Sequence, residues 1–286
     1  MGSGVWTASA YRDYATKRGM SISADGVLNI DSNQSHFTNR SLSEDLNPQN
    51  IIRECCNTEE HPNTLPVILA LDVTGSMGDV AVEIAKKLNP IMTDILSKHR
   101  DIEFCVMGIG DLAYDYAPIQ MSQFESDTRI AEHLDKIYFE FGGGGNDYES
   151  YTADWYMGVN HSKLDCWGQG RKGIIITIGD EFLNPYLPHR ALSCVTGDKL
   201  QGNIETAQLY DIAKEKFDIY HIDVAHGFRA SGQKSRINDF AETIGKSHCF
   251  PANLNNISDT IIDIIDSAQQ DNNVINTINQ NGEISW

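Results

Sequence analysis

The chain has 286 residues, 41% of them hydrophobic, and a formal net charge of −18. That length fits one large domain, or one domain with an appendage, and the apolar content is enough for a sizeable core. The acidity argues against a surface that attracts nucleic acid or an anionic membrane, and no apolar run approaches the ~18 residues of a membrane span. The start, Met1-Gly2-Ser3-Gly4-Val5-Trp6, has no basic stretch followed by an apolar core, so no secretory leader is expected. Cys55, Cys56, Cys105, Cys166, Cys194 and Cys249 contain no CxxC pair, which fits reduced thiols and a cytoplasmic location.

Residues 1–64 are polar and weakly periodic. Tyr11 to Lys17 reads as a short helix, Val27 to Ile30 as a short strand, and Asn47 to Asn50 as a helical turn. Their apolar content is too low for a separate core. A mostly irregular N-terminal arm, lying on the main domain, is expected.

From Leu65 onward strand alternates with helix. Leu65 to Leu71 is an unbroken apolar run, the pattern of a strand buried on both faces of a parallel sheet. Val80, Ile84, Leu88, Ile91, Met92 and Ile95 recur at helical spacing over 79–98, where Pro90 should kink or split the helix. Ile102 to Ile109 is a second buried strand. Residues 117–124, with Pro118, read as a short antiparallel edge strand. Ser126 is a candidate cap for a helix through Ile130, Leu134 and Ile137.

A helical pattern runs over 149–161, an apolar strand over 173–180, a helix over 204–216 and a strand over 217–224. A helix over 235–244 and a short strand over 246–250 come next. Residues 183–202 read as an irregular connection and a candidate binding loop. Ser258 is a candidate cap for a last helix whose Ile261, Ile262, Ile264 and Ile265 face the sheet. Residues 269–286 are a polar, Asn- and Gln-rich tail, expected to fray. The alternation argues a doubly wound α/β sheet with helices on both faces.

Behind the first apolar run stands Asp72-Val73-Thr74-Gly75-Ser76. A carboxylate and two hydroxyls at alternate positions can converge, and a hard divalent cation takes oxygen ligands. The C-terminal end of a parallel strand is also where open α/β sheets bind ligands. The plainer reading is a helix cap from Thr74 or Ser76 with a turn glycine between them. A cap needs no buried Asp in front of it.

The strand over 173–180 likewise stops at a carboxylate, Asp180. Two carboxylates about 4 Å apart repel by roughly 4 kcal/mol at an effective dielectric of 20, a cost that a cation between them removes. Between the two strands lies Gly142-Gly143-Gly144-Gly145-Asn146-Asp147, either a flexible turn or a backbone that comes close to an ion. His221, Asp223 and His226 do not make a zinc set, because His226 has the opposite strand parity to the other two. Asp111 ends a strand near the same rim and starts a turn; Asp79 sits in a first helical turn, where the dipole favours it.

With DVTGSM after a buried strand, then the Gly-rich run, then Gly179-Asp180, residues 65–268 resemble the von Willebrand factor A domain family, in its intracellular prokaryotic or phage-like form. The resemblance implies a Rossmann-like, mostly parallel sheet with one antiparallel edge strand. It also implies a metal-ion-dependent adhesion site: Asp72, Thr74 and Ser76 on Mg²⁺, with Asp180 reaching the ion through water. Mn²⁺ and Ca²⁺ are the other candidate ions. The family carries a Thr after its glycines; here Asn146 stands in that place with Asp147 beside it, and either could ligate.

In function, the resemblance implies a non-enzymatic, metal-dependent protein-interaction module, an intracellular adaptor or scaffold whose partner supplies an acidic side chain to the ion. One alternative is a Mg²⁺-dependent hydrolase or phosphotransferase. Against it stand Thr at position 74, where a DxDxT nucleophile motif wants Asp, and the lack of a GKT or GKS phosphate loop. A second alternative is the same fold with a degenerate metal site, acting through its loops.

Overall fold

The computed structural model describes residues 4–30, 36–140 and 148–281, with side chains as far as 269. The chain opens with α1 (Ala8–Lys17), whose preceding Thr7 accepts the Ala10 amide on its hydroxyl, and reaches a short strand β1 (Arg53–Cys55). Then come β2 (Leu65–Asp72), α2 (Gly78–Lys98), β3 (Ile102–Ile109), β4 (Ile119–Met121) and α3 (Arg129–Asp135). The middle of the chain gives β5 (Tyr148–Glu149), α4 (Thr152–Asn160), β6 (Ser162–Leu164), α5 (Asp165–Gly168), β7 (Gly173–Gly179), β8 (Phe182–Leu183) and β9 (Tyr186–Leu187). The last part is α6 (His189–Thr196), β10 (Ile204–Glu205), α7 (Thr206–Ala213), β11 (Phe217–Ala225), α8 (Gln233–Ile244), β12 (Cys249–Asn253) and α9 (Ile257–Asn281).

Six strands form the main sheet in the order β12-β11-β7-β2-β3-β4. Every neighbour is parallel except β4, which returns antiparallel beside β3 with Met121 opposite Met107. The fold is therefore mixed α/β with a mostly parallel sheet and one antiparallel edge. Pro118 stands just outside β4, and Pro251 sits inside β12 at the other edge. Strand β2 is central, and all its residues are buried. Val67, Leu69 and Leu71 face one layer with Val80, Ile84 and Leu88 of α2 and Ile261 and Ile265 of α9. Ile68 and Ala70 face the other, with Trp155, Leu209, Phe217 and Phe240. The two-residue period of the strand sends alternate side chains to opposite helical layers.

The arm is short of regular structure and packs on the main domain, with Trp6, Tyr11, Ala15, Leu28, Phe37 and Leu46 buried in the same cluster as the apolar residues of α2 and α3. Asp135 holds it from the other side, accepting from the Tyr14 hydroxyl and pairing with His36 at 2.8 Å. Pro90 does not split α2, a single 21-residue helix. A proline leaves the carbonyl four residues earlier without its helical donor; that carbonyl, Lys86, accepts the Leu28 amide at 2.9 Å.

Ser126 caps no helix. Its hydroxyl donates to the Gly4 carbonyl at 2.5 Å, and its own carbonyl accepts the Trp6 amide. The 183–202 stretch is not irregular: it contains β9 and α6. Ser258 falls inside the first turn of α9, and its hydroxyl has no partner among the described residues. The polar segment after 269 continues α9 to Asn281 rather than fraying from its start.

Candidate functional site

Strands β2, β3, β7 and β11 are parallel, so their C-terminal ends share one rim. The turn after β2 is built from short-range bonds. Thr74 is extended and followed by a 3₁₀ turn, Gly75–Met77, that leads into α2. Thr74 makes no side-chain cap bond to that turn. Instead its amide and its hydroxyl both donate to Asp72 Oδ1, at 2.8 and 2.6 Å. Ser76 donates across the rim to Asp180 Oδ1 at 3.2 Å. The structure thus brings Asp72, Thr74, Ser76 and Asp180 together, with both hydroxyls turned onto carboxylates.

Tyr151, one residue before α4, ties the two strand ends. Its hydroxyl donates to Asp72 Oδ2 at 2.7 Å and accepts the Asp180 and Glu181 amides, each at 3.2 Å. The phenol lies over Gly179, where any Cβ would collide with the hydroxyl. That is why a glycine precedes Asp180.

On the β11 side, His226 Nε2 pairs with Asp180 Oδ2 at 2.9 Å, and Arg229 pairs with Glu181. Arg236 holds this turn: it grips Asp223 with two bonds of 2.7 and 2.9 Å and donates to the Arg229 carbonyl at 3.1 Å. His221 and Asp223 therefore take no part in a metal set. His221 lies stacked on Phe240, ring centroids 3.5 Å apart.

The electrostatics show a rim short of positive charge. Burial, and then the Asp180 charge, push the Asp72 carboxyl up to about 7. Burial, then Asp72 and three more acids, push Glu149 up to about 10. Asp115, in the turn after β3, rises to about 6, mainly by burial. Asp111 starts that turn as expected, its Oδ1 accepting the Ala113 amide at 2.7 Å. Among the described residues no three His, Cys, Asp or Glu side chains are grouped closely enough to hold a metal. The donor set at the rim is two carboxylates and two hydroxyls, all oxygen, which suits a hard cation better than zinc.

Asn146 and Asp147, with the glycines before them, lie outside the described residues. The residues on either side of that segment stand at the rim. Glu140 donates its amide to the Val73 carbonyl at 2.9 Å and bridges Thr74, while Tyr148 and Glu149 pair with Phe182 and Leu183 just past Asp180. The roles of Glu149, Tyr151, His226 and Arg229 were not read from the sequence. The one local signal for Tyr151 was the obligatory glycine at 179.

No family model matches the chain, and no curated protein matches it. Among solved structures it is similar to the pilus adhesin SpaC from Lactobacillus rhamnosus GG, open conformation, with a TM-score of 0.48 and 13% identity over 75% of this chain. The chain spans only 30% of the SpaC length. It is also similar to the vWF domain of the type V pili tip protein Mfa5 from Porphyromonas gingivalis (TM-score 0.47, 12% identity, 73% of this chain and 96% of that one). A third is proximal thread matrix protein 1 from the mussel byssus (TM-score 0.45, 13% identity, 72% and 46%).

Proposed function

We propose that this chain is a non-enzymatic protein-interaction module built on a divalent-cation site of the adhesion type. Asp72, Thr74 and Ser76 would hold the ion, with Asp180 acting through water and Asn146 or Asp147 as the further candidate ligand. Mg²⁺ is the ion the reading favours, with Mn²⁺ and Ca²⁺ behind it. The bound ion supplies a Lewis-acid position that an acidic side chain of a partner protein can occupy.

The observation that carries this reading is that Thr74 and Ser76 turn their hydroxyls onto two facing carboxylates instead of capping α2. A cation there would offset both the desolvation of the buried Asp72 carboxylate and its repulsion by Asp180. The chain's own residues do the rest: Tyr151 fixes the spacing of the two strand ends, and Arg236 steadies the His226–Arg229 turn. Six free thiols, four of them buried, support a reducing compartment and an intracellular adaptor role. Among the described residues no helix is long and apolar enough to cross a membrane.

Thermal unfolding of the wild type and of Asp72→Ala, each in EDTA and in excess Mg²⁺, tests the reading. Binding to the native state alone adds about 2.7 kcal/mol at a hundredfold excess over Kd. A rise confined to the wild type is expected. A second reading has its own observation: His226 and Arg229 already pair with Asp180 and Glu181, so the rim could keep these as internal counter-ions and take no metal. No rise in either protein up to millimolar Mg²⁺ would favour it.

A further inference from the structure

We propose that Glu149 belongs to the same cation site, its Oε2 accepting hydrogen bonds from water held by the ion. This rests on the metal reading above and extends it to a residue that the DxTxS motif does not include.

Glu149 is 8% exposed, and its Oε2 is enclosed with no hydrogen-bond partner among the described residues. The charged groups that weigh most on it are the acids Asp72, Asp115, Asp111 and Glu181. Among the described residues, the bases His226 and Arg229 at the rim are engaged elsewhere, His226 with Asp180 and Arg229 with Glu181. A buried carboxylate oxygen with neither donor nor counter-ion is costly. Here it marks a place where a donor and positive charge are both missing.

Its placement is fixed by the backbone. Glu149 pairs with Leu183 just beyond Asp180. Ser150 donates its amide to the Gly110 carbonyl at 3.3 Å and accepts the Leu112 amide on its hydroxyl at 3.0 Å. Tyr151 reaches Asp72. Ser150 and Tyr151 thus touch the ends of β3, β2 and β7, and Glu149, the residue before them, is fixed beside the same rim by its pairing with β8. Mg²⁺ usually keeps several waters, and their hydrogens are the donors that Oε2 lacks. Groups that orient ligands in this indirect way typically change metal affinity by about 10–100-fold when lost.

The test is Glu149→Gln in the full chain, the same size without the charge. Mg²⁺ affinity is read by calorimetric titration and unfolding temperature is read in EDTA and in Mg²⁺, beside wild type and Asp72→Ala. The expected result is a Kd raised about 10–100-fold, with an unfolding temperature at or above wild type in EDTA and below it at intermediate Mg²⁺. A purely structural role would move both temperatures the same way. Glu149→Asp, charged but shorter, should fall between the two, and decides the matter should the Gln variant not fold. An unchanged Kd with Asp72→Ala inactive overturns this proposal and leaves the metal reading standing. A wild type blind to Mg²⁺ overturns both.

Discussion

The Leu28 amide donates to the Lys86 carbonyl at 2.9 Å, and Lys86 stands four residues before Pro90 in α2. The arm supplies the donor that the proline lacks. An interior proline costs about 3 kcal/mol relative to alanine when nothing compensates for it. Pro90→Ala is expected to raise stability by clearly less than that ~3 kcal/mol. It should also speed hydrogen exchange at the Leu28 amide, as the amide restored at position 90 competes for the carbonyl. Urea unfolding and exchange at Leu28 read the two effects. A full gain with Leu28 protection unchanged would show that the bond compensates for nothing.

Tyr151 gives three buried groups a partner through one oxygen. Tyr151→Phe keeps the ring against His221 and Phe240 but strands Asp72 Oδ2 and the Asp180 and Glu181 amides. At about 1–3 kcal/mol for each buried group left without a partner, partly relieved by entering water, a loss of roughly 2–4 kcal/mol is expected. Denaturant unfolding checks it; a loss below ~1 kcal/mol would mean that the hydroxyl does not bridge the strand ends.

Asp154 in α4 is fully buried, with the Thr177 hydroxyl donating to its Oδ2 at 2.5 Å and no partner on Oδ1 among the described residues. Burial pushes its carboxyl up to about 7 from an ordinary 3.8. Between those values the folded protein keeps a proton that the unfolded chain has lost. Its contribution is therefore full below pH 3.8, falls as pH rises, and is gone above about 7. Asp154→Asn should gain on the wild type by on the order of 3 kcal/mol between about pH 4 and about pH 7.5. Parallel pH profiles of the two proteins would refute it.

The strands were the legible part of the fold. Leu65 to Leu71 is a continuous apolar run and Gly173 to Gly179 is one broken only by Thr177, because both faces of a parallel sheet are covered, and a pattern of that kind depends only on neighbours in the chain. The arm was not legible, since Trp6, Tyr11, Leu28, Phe37 and Leu46 are scattered among polar residues. What buries them is the cluster formed by α2, α3 and Phe139, which lie far along the sequence. At the rim, Asp72, Thr74 and Ser76 announce themselves by spacing, and Asp180 by ending a strand. His226 reaches Asp180 across 46 residues, and Glu149 is set in place by β8. Long-range pairing of this sort leaves no local period to read.

Both borders of the main sheet discourage added strands. β4 offers only three residues to a newcomer, and β12 presents Pro251, which cannot donate to one. A chain with a net charge of −18 also repels its own copies. Strand-by-strand growth into polymers is therefore blocked at two ends of the molecule, and concentrated solutions are expected to stay free of cross-β aggregates while the fold is intact.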